Sequence, residues 1–347
     1  MGNANAMKAA IFNPYLDSLG GGERYTMSFA QVLLSMGYSV DVEWKDAFIK
    51  KSIEKRFGMT LSGINFMKNV KRGDGYDVCF WLSDGSIPLL RARKNFLHFQ
   101  FPFKDVNGRS LLTKMKLFRI TKCICNSYFT KRFIDKEFGI ESIVIYPPVD
   151  TKNIHPKIKE NIILSVGRFS QLAQEKNQHI LVEVFKTISK DIPSWKLILA
   201  GGTDVGVTDY VSKLKKLVRE YPIEILENPP FEKIKELFGK ARVYWTATGF
   251  SINEKKEPSK VEHFGIAVVE AMSGGSVPLV YSAGGHKEII IDGENGFLWK
   301  KKRELIGKTK KLIKDPRLLR EIAQTAKKDS QVYEYDRFEA EVQELLS

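Results

Sequence analysis

Residues 241–285 read ARVYWTATGFSINEKKEPSKVEHFGIAVVEAMSGGSVPLVYSAGG, and this stretch decides the fold. ARVYWT (Ala241–Thr246) and VPLVY (Val277–Tyr281) are short apolar runs of strand character. Between them EHFGIAVVE (262–270) reads as the start of a helix, and Gly284-Gly285 as a turn after the second strand. A helix beginning near Phe264 presents unpaired N–H groups and the positive end of its dipole there, which favours an anion. Glu262 then sits at the mouth of that site, and Glu270 lies up to ~12 Å along the axis. Ionised carboxylates only accept hydrogen bonds, so they suit hydroxyl groups. Hydroxyls, a diphosphate and then further hydroxyls are the layout of a nucleotide-sugar.

The rest of the chain repeats the alternation of strand and helix. KAAIFN (8–13) is a short apolar strand; Gly20 to Gly22 lead into a helical pattern over 25–35; YSVDVEW (38–44) is the next strand. This is the opening of a Rossmann-like unit. YDVCFWLS (76–83), KNFLHFQ (94–100), KCICNS (122–127) and SIVIYPP (142–148) continue it. Pro147-Pro148 and the polar run 151–160 mark a domain boundary. A second unit then begins with NIILSVGR (161–168), a helix over 178–189, and WKLILAG (195–201). IEILENPP (223–230) and the two strands quoted first complete its visible strands. The fold class is therefore α/β, with domains expected at 7–150 and 151–330. A ligand cleft is expected between the carboxyl ends of the two sheets.

Five segments in one order carry a resemblance to a known family. They are FNPYLDSLGGGERY (12–25), HFQFP (98–102), NSYFTKRFI with IYPPVD (126–134, 145–150), VGRFSQLAQEKNQ (166–178) and EHFGIAVVE. Together they resemble the retaining glycosyltransferases of family 4, whose motif is Glu-x7-Glu and whose fold is GT-B. The resemblance implies two Rossmann-like domains facing a central cleft. It also implies a terminal helix, at about 331–347 here, that crosses back to the first domain.

The resemblance assigns roles residue by residue. Arg168 and Lys176 stabilise the departing diphosphate, whose negative charge grows as the glycosidic bond breaks. Glu262 accepts from the transferred sugar and Glu270 from the ribose, while the backbone around Phe264, Gly265 and Ile266 faces sugar and phosphate. Gly21 and Gly22 permit close approach of an anion. Gly284 and Gly285 form a turn near the donor, with Glu288 in support, and His98 approaches the transferred sugar. Each of these residues also has a plainer reading on its own: a surface cation, a solvated helix Glu, a tight turn, a core histidine. Glu23 faces the acceptor or caps its helix; Asn126 and Ser127 line the cleft or serve structure. His155, His179 and His286 carry no assignment, and His263 occupies a variable position of the motif. The segment 249–261 is longer and more charged than in many members, and either covers the donor or meets the acceptor.

The reaction expected from the resemblance is transfer of a sugar to an acceptor hydroxyl with retention. The donor is GDP- or UDP-linked, with mannose favoured. No cofactor or metal is expected, and the chain contains no Asp-x-Asp. A sugar-nucleotide epimerase and a silent sugar-nucleotide-binding subunit are the alternatives. The acceptor is expected to be a sugar or a lipid-linked glycan.

Composition narrows the setting. With 43% hydrophobic and 28% charged residues, the 347-residue chain suits a globular protein of two domains. No apolar run approaches the ~20 residues of a membrane span. MGNANA lacks a signal core and is expected to be an added leader ahead of a native start at Met7, so a cytoplasmic setting is expected. Of the three cysteines, Cys123 and Cys125 sit in a strand pattern without the further ligands a metal requires. The net charge of +14 is uneven: residues 91–136 hold 12 Lys and Arg against two Asp. Within that window LLTKMKLFRI (111–120) places Leu111, Leu112, Met115 and Phe118 on one helical stripe. Either the stripe packs on the core, or it faces an anionic membrane surface with Lys114, Lys116 and Arg119 beside it, a peripheral arrangement on the cytoplasmic face. No nucleic-acid motif accompanies the charge, so nucleic acid is not an expected partner.

Overall fold

The computed structural model describes residues 7–171, 174–203 and 209–347. The leader read at residues 1–6, and Leu172 and Ala173 within the Arg168 to Lys176 segment, lie outside the described residues. The chain divides into two compact units: Met1–Pro148 with Asp336–Ser347, and Val149–Tyr335.

The first unit holds strands β1 (Lys8–Phe12), β2 (Ser39–Glu43), β3 (Ile64–Met67), β4 (Val78–Leu82), β5 (Lys94–Phe99), β6 (Lys122–Cys125) and β7 (Ile143–Val144). Its helices are α1 (Gly21–Ser35), α2 (Ile49–Phe57), α3 (Leu111–Leu117) and α4 (Tyr128–Phe138). The strands form one sheet in the order β3-β2-β1-β4-β5-β6-β7, and every pairing is parallel. The order reverses between β1 and β4, which places the loop after β1 at the switch point of a doubly wound sheet. Both faces of such a sheet are covered, so its central strands are apolar on both sides: Ala9, Ala10, Ile11, Cys79, Phe80, Phe96 and Leu97 are all fully buried. Phe29 of α1 stacks on Phe80 at 4.2 Å between ring centres.

The second unit holds β8 (Glu160–Val166), β9 (Lys196–Gly201), β10 (Ile223–Glu227), β11 (Ala241–Thr246), β12 (Val277–Tyr281) and β13 (Phe297–Trp299). Their order is β10-β9-β8-β11-β12-β13, again all parallel, with the switch point between β8 and β11. Helices α5 (Gln178–Ile188), α6 (Tyr210–Val218), α7 (Phe231–Lys240), α8 (Ile266–Ser273), α9 (His286–Ile289), α10 (Lys302–Lys314) and α11 (Pro316–Ser330) belong to it. Leu181 and Phe185 of α5 pack with Val243, Trp245 and Leu279 of the sheet, and with Leu305 and Leu312 of α10. The last helix, α12 (Tyr335–Leu346), packs in the first unit. There its Phe338 meets the Tyr25 ring edge-on at 5.1 Å, and the carbonyl of Leu346 accepts from Lys94 Nζ at 2.6 Å.

Several details refine the sequence reading. Helix α1 starts at Gly21 rather than near residue 25, because the buried Glu23 carboxylate folds back to accept the N–H of Gly20 at 2.7 Å. Glu23 also accepts from Ser18 Oγ at 2.7 Å, so it caps the helix and binds its own loop. Strands β3 and β13 are short edge strands whose register comes from their neighbours rather than from their own pattern. The stripe Leu111, Leu112, Met115 and Phe118, for which the sequence left core packing and a surface position both open, is exposed. The core contacts of that segment come instead from Leu117 and Ile120. Cys79, Cys123 and Cys125 are buried free thiols, each pushed up to about 12 by burial. Among the described residues no helix is long and apolar enough to cross a membrane.

Candidate active site

In the second unit the chemistry gathers at the carboxyl ends of β8, β11 and β12. Lys176 Nζ lies 2.8 Å from Glu262 Oε2, and both side chains are largely buried. Gln174 Nε2 donates to the Val261 carbonyl at 2.9 Å, so residues 174–176 are tied to 261–262 at two points. Burial pushes the Glu262 carboxyl up, but the Lys176 ammonium, with His286 and His263 near it, brings it down to about 2. The carboxylate is therefore ionised at neutral pH and acts only as an acceptor.

Glycines let these segments approach. A methyl group on Gly167 would meet Lys176 Cγ at 2.9 Å, so the lysine stem crosses the end of β8 only because residue 167 has no side chain. Gln178 Nε2 donates to the carbonyl of Arg168 at 3.0 Å, and Tyr210 Oη donates to Gln178 Oε1 at 3.1 Å, which holds the backbone at Arg168. Arg168 itself is exposed, and its guanidinium has no acceptor among the described residues.

Helix α8 starts at Ile266, two residues later than the sequence suggested. Gly265 is the reason: it caps the helix with φ 122°, a conformation only glycine adopts readily. The first N–H groups of α8 thus begin four residues after Glu262. Glu270 follows on the same helix and is buried. Tyr244, on β11, lies near both carboxylates: burial and then the charges of Glu262 and Glu270 push its phenol far up. Gly284 and Gly285 lie against the peptides of 262–264, and Gly285 N–H donates to the Glu262 carbonyl at 2.8 Å. Glu254, within the charged segment 249–261, accepts from Gly284 N–H at 2.8 Å and pairs with Lys287 at 2.6 Å. That segment is therefore bound to the glycine turn.

His286, left without assignment by the sequence, is fully buried next to this group. Its Nδ1–H donates to the Tyr281 carbonyl at 2.9 Å, and its Nε2 has no partner among the described residues. Its Cδ2 lies 3.3 Å from where a Cβ on Gly265 would stand. Only its place directly after Gly284-Gly285 could have signalled this.

In the first unit the corresponding loops follow β1, β5 and β6. Gly22 faces Gln100, whose Cγ would lie 3.4 Å from a Cβ at residue 22, and Gly21 is the first residue of α1. His98 is fully buried, stacked on Tyr25 at 4.0 Å, and its Nε2 donates to Gln100 Oε1 at 3.0 Å. Gln100, which the sequence reading did not single out, is thus held by His98, and its carbonyl accepts from Asn126 Nδ2 at 3.1 Å. Ser127 caps α4 by accepting the Thr130 N–H at 3.1 Å.

Burial pushes the His98 imidazole down to about 4, against the opposing effect of the Gln100 bond. An unfolded histidine binds a proton below about 6.5, so the unfolded state holds the extra proton between those two values. Stability should therefore fall as pH drops from about 6.5 toward 4. His98→Phe keeps the stacked ring and removes the titration. Thermal unfolding scans across that window should show a shallower pH dependence for this variant, by about one proton; an unchanged slope would mean that His98 is not the buried neutral group.

Comparisons with known proteins agree with this architecture. An alpha-1,2-mannosyltransferase of Xenopus laevis that is named for GDP-Man and Man(3)GlcNAc(2)-PP-Dol is 30% identical over 178 residues, which cover 45% of this chain and 33% of that one. The match thus spans about a third of that relative's length. The alpha-1,3/1,6-mannosyltransferase ALG2 of Yarrowia lipolytica is 25% identical over 82% of this chain and 79% of its own. Among solved structures, Anabaena Alr3699/HepE in complex with UDP-glucose superposes with a TM-score of 0.77 at 20% identity, over 98% of this chain and 99% of that one, which identifies the GT-B fold. The family model described as glycosyl transferases group 1 matches residues 150–329, just over half of the sequence, and the chain belongs to that family.

Proposed function

We propose that this protein transfers a mannosyl group from GDP-mannose to a hydroxyl of a lipid-linked glycan, with retention and without a metal. The observation that carries the donor side is the Lys176–Glu262 pair, four residues ahead of α8 in the chain. One ammonium N–H is committed to Glu262, and two remain for phosphate oxygens. Arg168 supplies a second cation with no competing acceptor among the described residues. As the sugar–phosphate bond breaks, its electron pair stays on the phosphate, and these cations meet the growing charge. The α8 N-terminus adds aligned N–H groups. Glu262, ionised, accepts hydrogen bonds from hydroxyls of the sugar, and Glu270 from those of the ribose. The acceptor oxygen bonds to the anomeric carbon on the face the phosphate leaves, and its proton passes to that phosphate. His98 acts as a positioning residue through Gln100. The names of the mannosyltransferase relatives support the choice of base, sugar and acceptor class.

A thermal-shift panel of UDP, GDP, ADP and their sugar conjugates tests this, run in chelator and again with magnesium. GDP and GDP-mannose should raise Tm equally in both, because a ligand at about 100 times its Kd adds about 2.7 kcal/mol to the folded state. A shift confined to UDP would overturn the base. A requirement for magnesium would overturn the metal-independent chemistry. Free epimer from the sugar-nucleotide alone would show an epimerase.

A further inference from the structure

We propose that α3 docks the first unit on an anionic lipid bilayer. The apolar side chains of Leu111, Leu112, Met115 and Phe118 would enter the acyl boundary, with Lys114, Lys116 and Arg119 at the headgroup phosphates. This inference is independent of the donor chemistry.

Exposure is the first observation. Leu111 keeps 76% of its surface, Leu112 62%, Met115 64% and Phe118 91%. Isolated apolar side chains on a surface are ordinary, but four within eight residues form a patch. The same segment already satisfies the core with its other face, because Leu117 and Ile120 pack against the cluster of Leu97, Phe99 and Phe138. The outward stripe is therefore surplus to folding.

Rigidity is the second observation. The loop entering α3 is held at its base: the Glu137 carboxylate accepts the N–H groups of Asp105 and Val106 at 3.0 Å and of Gly108 at 3.1 Å. Arg109 donates to the Lys136 carbonyl at 2.8 Å, and Ser110 caps the helix by accepting from Thr113 N–H at 3.2 Å. The patch is thus presented in a fixed form, and little conformational entropy is lost when it docks.

Charge decides the occupant. No Asp or Glu lies between Asp105 and Asp135, while that interval contains seven Lys and Arg. Lys114 and Arg119 are exposed, Lys116 is half-buried, and none of the three forms an ion pair among the described residues. A single-sign basic field around a small apolar projection complements an anionic bilayer. A helix of seven residues, about 10 Å long, cannot span the bilayer and can only lie in its interface.

Sedimentation of the full chain with vesicles tests this. Binding is expected to mixed phosphatidylserine–phosphatidylcholine vesicles at low salt, and at least tenfold weaker binding at high salt or to phosphatidylcholine alone. Replacing Leu112 and Phe118 together by Ser should weaken binding on the order of 100-fold, through lost apolar insertion. Replacing Lys114, Lys116 and Arg119 together by Ala should do the same through lost headgroup attraction. Both variants should keep Tm and the nucleotide-induced shift; if the first misfolds, the second decides. Three results would overturn the proposal: no sedimentation at low salt, vesicle binding that neither variant alters, or a wild-type dimer that the serine variant turns into a monomer.

Discussion

Alanine at Gly284 should lower the proposed transfer activity on the order of 100-fold and lower Tm. A Cβ there would stand 2.0 Å from the Glu262 carbonyl oxygen and 2.9 Å from Val261 Cγ2, and the residue holds φ +58°. Left-handed backbone costs a side-chain-bearing residue about 1 kcal/mol, and overpacking adds about 1–3 kcal/mol. The peptide at Glu262 must then move, and a displacement of about 1 Å at a reacting centre costs on the order of 100-fold in rate. Gly285→Ala should behave alike, since its Cβ would meet the His263 carbonyl at 2.4 Å. Gly293→Ala is the control: φ is +87°, but nothing lies within 4 Å of the added methyl. It should lose about 1 kcal/mol and keep full activity. Equal activity losses at 284 and 293 would show that backbone strain, and not contact with the Glu262 segment, is responsible.

The second large effect belongs to Lys176→Met. The substitution leaves the Glu262 carboxylate uncompensated with 16% of its side chain exposed. Breaking such a pair costs about 3 kcal/mol, and if Lys176 meets the leaving diphosphate as proposed, transfer should fall on the order of 100- to 1000-fold. The pH dependence separates this from general damage. The folded-state pKa of Glu262 is depressed to about 2, while an unfolded glutamate titrates near 4.3. A depressed carboxyl stabilises the fold above its unfolded pKa and loses that contribution as pH falls through the folded value. The stability gap between wild type and Lys176→Met should therefore be full above about pH 5 and shrink as the pH falls toward 2. A gap constant across that window would mean that the pair does not supply the stability. Glu262→Gln, which keeps the shape, should lose activity with a smaller stability loss.

Much of this architecture can be read without coordinates. Runs such as KAAIF, KLILAG and VPLVY are buried on both faces of a parallel sheet, so their apolar character is continuous and visible. Edge strands escape such a reading: INFM and FLW are short, and the sheet beside them selects their pairing. Helix starts were misplaced where a side chain or a glycine acts at the cap, as Glu23 does for α1 and Gly265 for α8. The candidate site divides in the same way. Glu262, Glu270 and the two glycines of the 284–285 turn stand in one recognisable stretch. Tyr244, Gln100 and Glu254 carry no local signal, and His286 only its place after Gly284-Gly285, because each matters through what it touches.

The sequence by itself determined the alternation of strand and helix and a break near Pro147-Pro148, since periodicity and turn chemistry are local properties; the motif residues came from the resemblance to a family. Tertiary structure alone decided that Lys176 meets a carboxylate 86 residues away, that Gly284 must be bare where it crosses the Glu262 peptide, and that α3 turns Leu117 inward and Phe118 outward. Those outcomes depend on which distant segments become neighbours, and close packing settles that over the whole unit at once.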